Sequence, residues 1–287
     1  MKLVRRLVAQ NSINAIDLLS QGVPELSKGR LKDAMSKGAV LLVTKPQKRL
    51  RRAQTPMQSG QQLVLHYDDD LLSRSSAAAI LLSDQQHYSV WFKPAGMLSQ
   101  GNEWGDHLSL LRAAEQYFSG KRQVFLLHRL DREASGVMVI AHTKAMAAAF
   151  SQLIAQQQID KHYLIRVKGQ LTPELLQQAE LDIPLDGKAC RTQFSLRQFD
   201  SHTGQSWLDI KLISGRKHQI RRHFAAAGYP VMGDPQYGQH NKDASGLALQ
   251  AVKLAFRCPK TGKLMQFCLP EALLLASTEV VSESSRH

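Results

Sequence analysis

A single carboxylate lies between two arginines in a short polar stretch of this chain. The stretch reads "LLHRLDREASGV" and places Asp131 between Arg129 and Arg132. Apolar runs on both sides are typical of strands, so we expect the polar residues to form a loop at the rim of a sheet, where reacting groups often lie. A carboxylate there can attack carbon one of a sugar, as in retaining glycosidases, and the arginines would keep it ionised.

The same loop has a simpler interpretation as a surface salt bridge. An exposed aspartate next to arginines often makes such a contact with little energetic effect. A retaining glycosidase also needs a second carboxylate. Glu133 is near Asp131 in sequence, but a separation of two residues in a loop does not fix their geometry. The loop alone therefore leaves both interpretations open.

A second stretch, "SGRKHQIRRHF", is rich in positive charge. If all of it were helical, Lys217 would share a face with Arg221, and His218 with Arg222. The basic residues would bind phosphates or form a solvated face: Arg216, Lys217, His218, Arg221 and Arg222. His218 and His223 are five positions apart and do not stack on a helix, so no metal site is predicted here.

The remaining patterns describe the scaffold. Strands are predicted in "YSVWFKPAG", "QVFLLHRL", "GVMVIAHT", "KHYLIRVKG", "QFSLRQFD" and "SWLDIKLIS". Tyr163, in the fourth of these, would by itself be interpreted as a core residue. Helices are predicted in "KAMAAAFSQLIAQQQ" and in "GRKHQIRRHFAAAG" up to Gly228, and a hairpin turn at Pro259 to Gly262. Strands joined by hairpins, with helices interspersed, predict an α+β fold with a mostly antiparallel sheet.

The first 70 residues form a separate basic region. "ELSKGRLKDAMSKGAVLLV" predicts a helix with Ser27 as its N-cap and Gly38 as its stop, followed by a strand. Basic residues of this helix and of the loop "KPQKRLRRAQ" would form a patch that contacts nucleic acid, or only a solvated face: Lys28, Arg30, Lys32, Lys48, Arg49, Arg51 and Arg52. We expect a small domain at 1–70, a linker at 71–86, a larger domain at 87–275 and a frayed tail at 276–287.

Composition narrows the function classes. The 37 Lys and Arg residues exceed the 24 Asp and Glu residues, giving a net charge of +13. This excess favours a polyanionic partner, nucleic acid ahead of a membrane surface, although it could serve solubility alone. The chain begins with no signal-peptide pattern and has no apolar run of membrane-spanning length. Three dispersed cysteines, Cys190, Cys258 and Cys268, indicate a reducing compartment, so we expect a cytoplasmic protein.

Taken in order, the motifs resemble one family, the RluA-type pseudouridine synthases. The matching pieces are "FKPAGMLSQG", "HRLDREASGVMVIA", "KHYLIRVKG", "GRKHQIRRHFAAAGYPVMGDPQYG" and "LALQAVKLAFRCPKTGKLMQFCLP", which cover about residues 89–270. The first region, with "SKGRLKDAMSKGAV" and "MQSGQQL", resembles the αL RNA-binding motif of a small-subunit ribosomal protein. The resemblance implies an α+β catalytic domain preceded by a small α+β RNA-binding domain.

The resemblance also implies roles for individual residues. Asp131 corresponds to the family's catalytic aspartate, and Arg221 is expected to pair with it. Tyr163 is expected to stack on the target base and to serve in proton transfer. Arg129 is expected to help fill the space that a flipped nucleotide leaves. No metal or organic cofactor is implied.

Three positions depart from the family pattern. Ala134 stands where threonine is usual, and Gln250 and Cys258 stand where histidines are usual. None of these removes a catalytic group, but they leave the identity of the substrate more open.

The resemblance implies conversion of uridine to pseudouridine in structured RNA by an enzyme that we expect to be a monomer. The ribosomal-type front region favours ribosomal RNA, and transfer RNA stays open because "RKHQIRRH" also resembles a tRNA-modifying branch. Whether Asp131 attacks the sugar or removes a sugar proton is left open. A non-catalytic RNA-binding protein with the same fold is the alternative from another class. A glycosidase or nuclease on another fold has no paired carboxylates or metal cluster to support it.

Overall fold

The computed structural model describes residues 1–275, so the predicted tail at 276–287 lies outside the described residues. The first region folds around a four-stranded antiparallel sheet in the order β1-β6-β3-β4, with β2 and β5 paired beside it. Its elements are β1 (Lys2–Val8), β2 (Ile13–Asn14), α1 (Ala15–Gly22), α2 (Lys28–Ser36), β3 (Val40–Leu42), β4 (Lys48–Arg49), β5 (Pro56–Met57), β6 (Gln62–Asp68) and α3 (Asp69–Ser73).

Helix α2 begins and ends where its sequence predicts. The side chain of Ser27 accepts a hydrogen bond from the backbone N–H of Arg30, which satisfies one of the free donors at the helix start. Gly38 follows the helix with a φ of +80°, a left-handed conformation that favours glycine. The helix packs Leu31 and Met35 into the core of this region.

The second region contains a ten-stranded sheet. Eight strands follow the order β12-β13-β14-β11-β15-β10-β8-β7, β16 pairs with β15, and β9 pairs with β10. Its elements are β7 (Ile80–Asp84), β8 (Tyr88–Lys93), α4 (Leu110–Tyr117), β9 (Phe125–Leu126), β10 (Ser135–Ala141), α5 (Lys144–Ala155), β11 (Ile159–Lys168), α6 (Pro173–Gln178), β12 (Glu180–Leu181), β13 (Thr192–Asp200), β14 (Gln205–Leu212), α7 (Gln219–Ala226), β15 (Leu249–Arg257), β16 (Leu264–Cys268) and a 3-10 turn (Glu271–Leu273). Among the strand pairs of this sheet within residues 1–275, only β10–β15 is parallel, which confirms the predicted α+β class with a mostly antiparallel sheet.

Strand β10 shows how this sheet is covered on both faces. Its seven residues are all buried, and successive side chains point to opposite faces of a strand. Met138 packs in the same core cluster as Phe224 of α7, whereas Val139 packs in the cluster that contains Phe150 of α5. The strand that follows the Asp131 loop is therefore fixed from both sides. Within residues 1–275, no helix is long and apolar enough to cross a membrane.

Three predicted element boundaries differ from the structure. The segment predicted as a linker contains strand β7, which pairs with β8 at the edge of the large sheet, so that sheet begins at Ile80. Strand β9 is only two residues long, because the chain leaves the sheet well before Asp131. Helix α7 begins at Gln219, not near Gly215, because His218 has a left-handed φ of +54°.

The late start of α7 corrects one prediction. Lys217 and His218 precede the helix, so the predicted helical faces that pair Lys217 with Arg221 and His218 with Arg222 are wrong. The side chain of Gln219 closes the preceding turn: its oxygen accepts from the backbone N–H of Arg216, and its amide donates to the carbonyl of Arg191, both at 3.0 Å.

The two regions are joined by an ion-pair cluster around Asp106. Arg49 Nε lies 3.0 Å from Asp106 Oδ2, and Arg51 donates to the same oxygen. The backbone N–H of Asp106 donates to the carbonyl of Lys37 at 3.0 Å. The approach at Gly38 is close: a Cβ there would lie 2.4 Å from Asp106 Oδ1, so a side chain would clash. The front region is therefore held directly against the large domain.

Candidate active site

A cleft of about 900 Å³ opens beside the large sheet and brings the three predicted catalytic residues together. Asp131 contributes from the loop before β10, Tyr163 from β11 and Arg221 from α7. The loop from Ile213 to His218 forms another wall. The volume lies within the range of ordinary ligand sites.

The Asp131 loop is held in place by the segment that follows β8. Lys93 is fully buried, and its Nζ donates to the carbonyls of Met97 and Ala134, both at 2.7 Å, of Pro94 at 3.0 Å and of Arg132 at 3.3 Å. Burial lowers the pKa of Lys93 to about 8, although the charges of nearby carboxylates oppose the shift.

Ser99 fixes the other side of the loop. Its Oγ donates to the carbonyl of Leu130 at 2.7 Å and accepts from the backbone N–H of the same residue at 2.9 Å. Contacts on both sides of Asp131 therefore limit the movement of its backbone.

The downstream end of the loop requires a glycine. Gly136 has a φ of +131°, and a Cβ at this position would lie 2.3 Å from the carbonyl oxygen of Ala251 on β15. Beside it, Gln250 donates to Ser135 Oγ at 3.1 Å and to the carbonyl of Leu273 at 2.8 Å. Gln250 thus connects β15 with the start of β10 and with the 3-10 turn.

The other two departures from the family pattern are also buried. Ala134 packs in the core cluster that contains Tyr163, and Cys258 packs in the cluster on the opposite face. Ala134 is 1% exposed and Cys258 is 6% exposed.

Asp131 is joined to a buried arginine, as the resemblance implies. Arg221 Nη1 donates to Asp131 Oδ2 at 2.9 Å. The rest of the guanidinium makes two hydrogen bonds of 2.7 Å with Asp234, whose side chain is fully buried. Asp234 in turn accepts from the backbone N–H groups of Gln236 and Tyr237. Two carboxylates therefore share one arginine, which is held in a fixed orientation.

These contacts decide the charge states of the buried pair. Burial would lower the pKa of Arg221, but its hydrogen bonds to Asp234 and Asp131 outweigh that effect and raise it. Burial would raise the pKa of Asp234, but the hydrogen bonds from Arg221 and from two backbone N–H groups hold it below its usual range. Arg221 and Asp234 are consequently both charged at neutral pH.

His218 contacts the second oxygen of Asp131. Its Nε2 lies 3.5 Å from Asp131 Oδ1, and its Nδ1 lies 2.9 Å from the hydroxyl of Tyr237. Burial lowers the pKa of His218, the charge of Asp131 opposes the shift, and Arg221 adds to it. A closed ring of contacts therefore begins and ends at Asp131. It runs from Asp131 to Arg221 and Asp234, and returns through Tyr237 and His218.

Tyr163 lies in the cleft wall, although it is only 7% exposed. Burial raises its pKa, and the negative charge of Asp131 raises it further, so the hydroxyl keeps its proton at neutral pH. Its neighbours on the same face of β11 also line the cleft. A protonated hydroxyl near the carboxylate can donate or relay a proton.

The basic residues predicted to bind RNA occupy different environments. Arg129, Arg216 and Lys217 are exposed and line the cleft. Arg222 donates two hydrogen bonds to the carboxylate of Asp186, at 2.9 and 3.0 Å. His218 belongs to the ring described above, not to an open surface.

The front-region residues are similarly divided. Lys28 pairs with Asp17 at 2.9 Å, Arg30 pairs with Asp69, and Arg49 and Arg51 belong to the Asp106 cluster. Three side chains are exposed and form no ion pair within residues 1–275: Lys32, Lys48 and Arg52. Four of the seven residues of the predicted basic patch therefore form ion pairs with carboxylates of the protein itself.

Two site residues were not identified from the sequence as functional. Asp234 lies in "GDPQYG" and Lys93 in "FKPAG", both within motifs that carry the family resemblance. Neither spacing nor composition indicates that these side chains reach the Asp131 loop or Arg221, since both contacts are distant in sequence. Over the same described residues, no group of three or more His, Cys, Asp or Glu side chains is arranged to hold a metal ion.

Comparison with known proteins identifies the family of this chain. Residues 87–226 match the family model described as RNA pseudouridylate synthase. The dual-specificity RNA pseudouridine synthase RluA of Yersinia pestis is 30% identical over 206 residues, which are 66% of this chain and 97% of that protein. The ribosomal large subunit pseudouridine synthase D of Xanthomonas campestris is 28% identical over 88% of this chain and 84% of its own length.

Solved structures show the same fold. The human RNA pseudouridylate synthase domain containing 1 superposes with a TM-score of 0.57 at 20% identity, over 70% of this chain and 87% of that one. The chain belongs to the RluA-type RNA pseudouridine synthases, enzymes that isomerise uridine to pseudouridine in RNA.

Proposed function

We propose that this protein forms pseudouridine in ribosomal RNA of the large subunit, with Asp131 as the catalytic residue. The observation that carries the proposal is the carboxylate of Asp131, 26% exposed in the cleft and fixed from behind by Arg221. The names of several relatives specify the ribosomal large subunit, which supports the choice of RNA. Ribosomal RNA as substrate also fits a cytoplasmic location.

The reaction begins when the target uridine leaves its helix and enters the cleft. Unstacking a base costs a few kcal/mol. Arg129, exposed at the edge of the cleft, would fill part of the vacated space, and Arg216 and Lys217 would contact phosphates. Tyr163 would stack against the base.

Asp131 then promotes cleavage of the bond between sugar carbon one and uracil nitrogen one, by attack on the sugar or by removal of a sugar proton. The uracil rotates, its carbon five forms a bond with the same sugar carbon, carbon five loses its proton and nitrogen one gains one. Tyr163, protonated and close to Asp131, is suited to a role in these proton transfers. The isomerisation is balanced without an oxidant, reductant or second substrate.

The test uses large-subunit RNA and, separately, transfer RNA, both carrying tritium on carbon five of uridine. The parent protein should release tritium from ribosomal RNA, and Asp131→Asn should bind the same RNA and release none. Glu133→Gln is the matched control, because Glu133 is held by Arg132 at 3.0 Å and should be dispensable. Release from transfer RNA alone would overturn the proposed substrate, and turnover by Asp131→Asn would overturn the catalytic assignment.

A further inference from the structure

Lys161 is a partly buried cation in the cleft that the steps above do not use. It lies on β11 two residues before Tyr163, so the two side chains are on the same face of the strand, and both line the cleft. Its Nζ lies next to Gly215 of the loop that follows β14, where a Cβ would be 3.8 Å away. The ammonium group therefore lies in the cleft, beside the loop that carries Arg216 and Lys217.

The described part of the chain gives this ammonium no hydrogen bond and no ion pair. Burial lowers the pKa of Lys161, and no carboxylate opposes the shift. Lys93, which is fully buried, instead donates to four carbonyls.

His128, an ionisable side chain that senses the charge of Lys161, does not compensate that charge. His128 Nε2 accepts the backbone N–H of Val139 at 3.2 Å. Burial, followed by the positive charge of Lys161, lowers the pKa of His128 to about 4, so the imidazole is neutral. The cleft thus contains a cation on one wall that lacks a compensating anion.

A buried charge without a partner costs free energy, which the protein avoids elsewhere by pairing or by neutralisation. Such groups in clefts are characteristic of sites where a ligand or a transition state supplies the missing partner. The rim arginines and Lys217 are exposed and suited to phosphate, whereas Lys161 lies deeper, on the face where Tyr163 would meet the base.

We propose that Lys161 is a catalytic residue that donates a hydrogen bond to a carbonyl oxygen of the target uracil and stabilises the negative charge that the base acquires as it leaves the sugar. This inference rests on the proposed function of the cleft and specifies its leaving-group chemistry. When the bond from carbon one to nitrogen one breaks, the electron pair stays on the uracil and spreads to its carbonyl oxygens. This holds whether Asp131 attacks the sugar or removes a sugar proton.

A fixed cation facing that oxygen acts mainly in the transition state. Removing one such donor from an enzyme typically lowers the rate about 10²- to 10³-fold. Binding of RNA should change little, because the neutral uracil of the ground state gains less from the charge. As the bond to the sugar breaks, the negative charge on the uracil becomes the counter-charge of the Lys161 ammonium group.

The experiment compares the full-length parent, Lys161→Met and Lys161→Arg. Lys168→Met is the matched control, since Lys168 is an exposed lysine on the opposite face of the same strand. RNA affinity, the single-turnover rate at saturating RNA and thermal unfolding are measured for each. Lys161→Met should bind RNA within about threefold of the parent and react at least about 10²-fold more slowly. It should be at least as heat-stable as the parent, because it removes an unpaired buried charge.

Lys161→Arg keeps the charge and should recover part of the rate, and Lys168→Met should match the parent. A Lys161→Met rate within twofold of an active parent would overturn the inference. Loss of affinity with an unchanged saturated rate would also overturn it and assign Lys161 to a phosphate. Slow reaction accompanied by lower thermal stability would mean a structural role instead. An inactive parent would overturn the proposed function itself.

Discussion

Asp234 is the most informative residue to change, because it is buried and does not touch Asp131 itself. It reaches Asp131 mainly through its two hydrogen bonds to Arg221, and less directly through Tyr237 and His218. In Asp234→Asn, the side chain keeps nearly the same shape, and one oxygen can still accept the backbone N–H groups of Gln236 and Tyr237. The paired contact to Arg221, two hydrogen bonds of 2.7 Å, loses its negative charge. Arg221 then has Asp131 as its remaining carboxylate.

The expected cost follows from burial. Arg221 and Asp234 have side chains that are 2% and 0% exposed. Removing one partner of such a pair typically costs 3–5 kcal/mol, and the retained contact to Asp131 favours the lower end, about 3 kcal/mol. For a domain of this size, that corresponds to a fall of roughly 6–12 °C in the melting temperature. Because Arg221 can now shift toward Asp131, we expect the chemical step to slow by about 10- to 100-fold.

Asp243→Asn provides the matched control. Asp243 pairs with Arg166 in the same domain, with side chains 14% and 16% exposed, and lies outside the cleft. Both variants should lose stability, but only Asp234→Asn should lose single-turnover rate at saturating RNA, measured by tritium release below the melting temperature of each protein. RNA affinity should stay within about threefold in both. A rate for Asp234→Asn within twofold of the parent would refute the view that Arg221 must be fixed in order to orient Asp131.

Three further outcomes are expected. Tyr163→Phe should keep RNA binding and lose most of the turnover, since only the hydroxyl is removed; equal turnover would exclude proton transfer by Tyr163. Lys93→Met should slow the reaction by loosening the Asp131 loop. The parent should become more stable from pH 8 to about 10, because Lys93, with a pKa of about 8 in the folded protein, loses its buried charge there, whereas the unfolded lysine, with a pKa near 10.5, stays charged. Lys93→Met should lack this gain in stability. Urea unfolding at pH 7 and 9.5 checks this, and an equal change in the free energy of unfolding for both proteins between these pH values would contradict it. Changing Lys32, Lys48 and Arg52 together to glutamine should reduce the slope of log K against log salt by about 0.7–0.9 for each lost phosphate contact, with the saturated rate unchanged; an unchanged slope would remove these residues from the RNA interface.

Local signals in the sequence were sufficient for elements whose ends are encoded nearby. Ser27 and Gly38 mark the ends of α2 because capping depends on one side chain and one backbone conformation. The turn from Pro259 to Gly262 lies between β15 and β16, as its residues predict. Strand β7 was missed because it lies at the sheet edge, paired with β8, and "AAAILLSD" continues an alanine- and serine-rich segment that resembles a linker.

In the candidate active site, residues within recognisable motifs could be predicted from the sequence, and contacts between distant residues could not. The order of motifs was enough to identify Asp131, Tyr163 and Arg221 by resemblance, and the structure brings all three into one cleft. Asp234 and Lys93 act through contacts with residues 13 to 41 positions away, which no local spacing reveals. The left-handed backbone of His218 was equally hidden, because histidine gives no signal for it.

The arrangement around Arg221 explains why one arginine needs two carboxylates. If Arg221 paired only with Asp131, the two charges would cancel, and the carboxylate would be a weaker nucleophile or base. Asp234 takes two of the guanidinium hydrogen bonds and compensates its charge, while one N–H remains to orient Asp131. His218, whose pKa is lowered, contacts the other oxygen of Asp131 without adding a full positive charge at neutral pH. Asp131 is thus held from two directions, in the fixed orientation that its proposed reaction with the sugar requires.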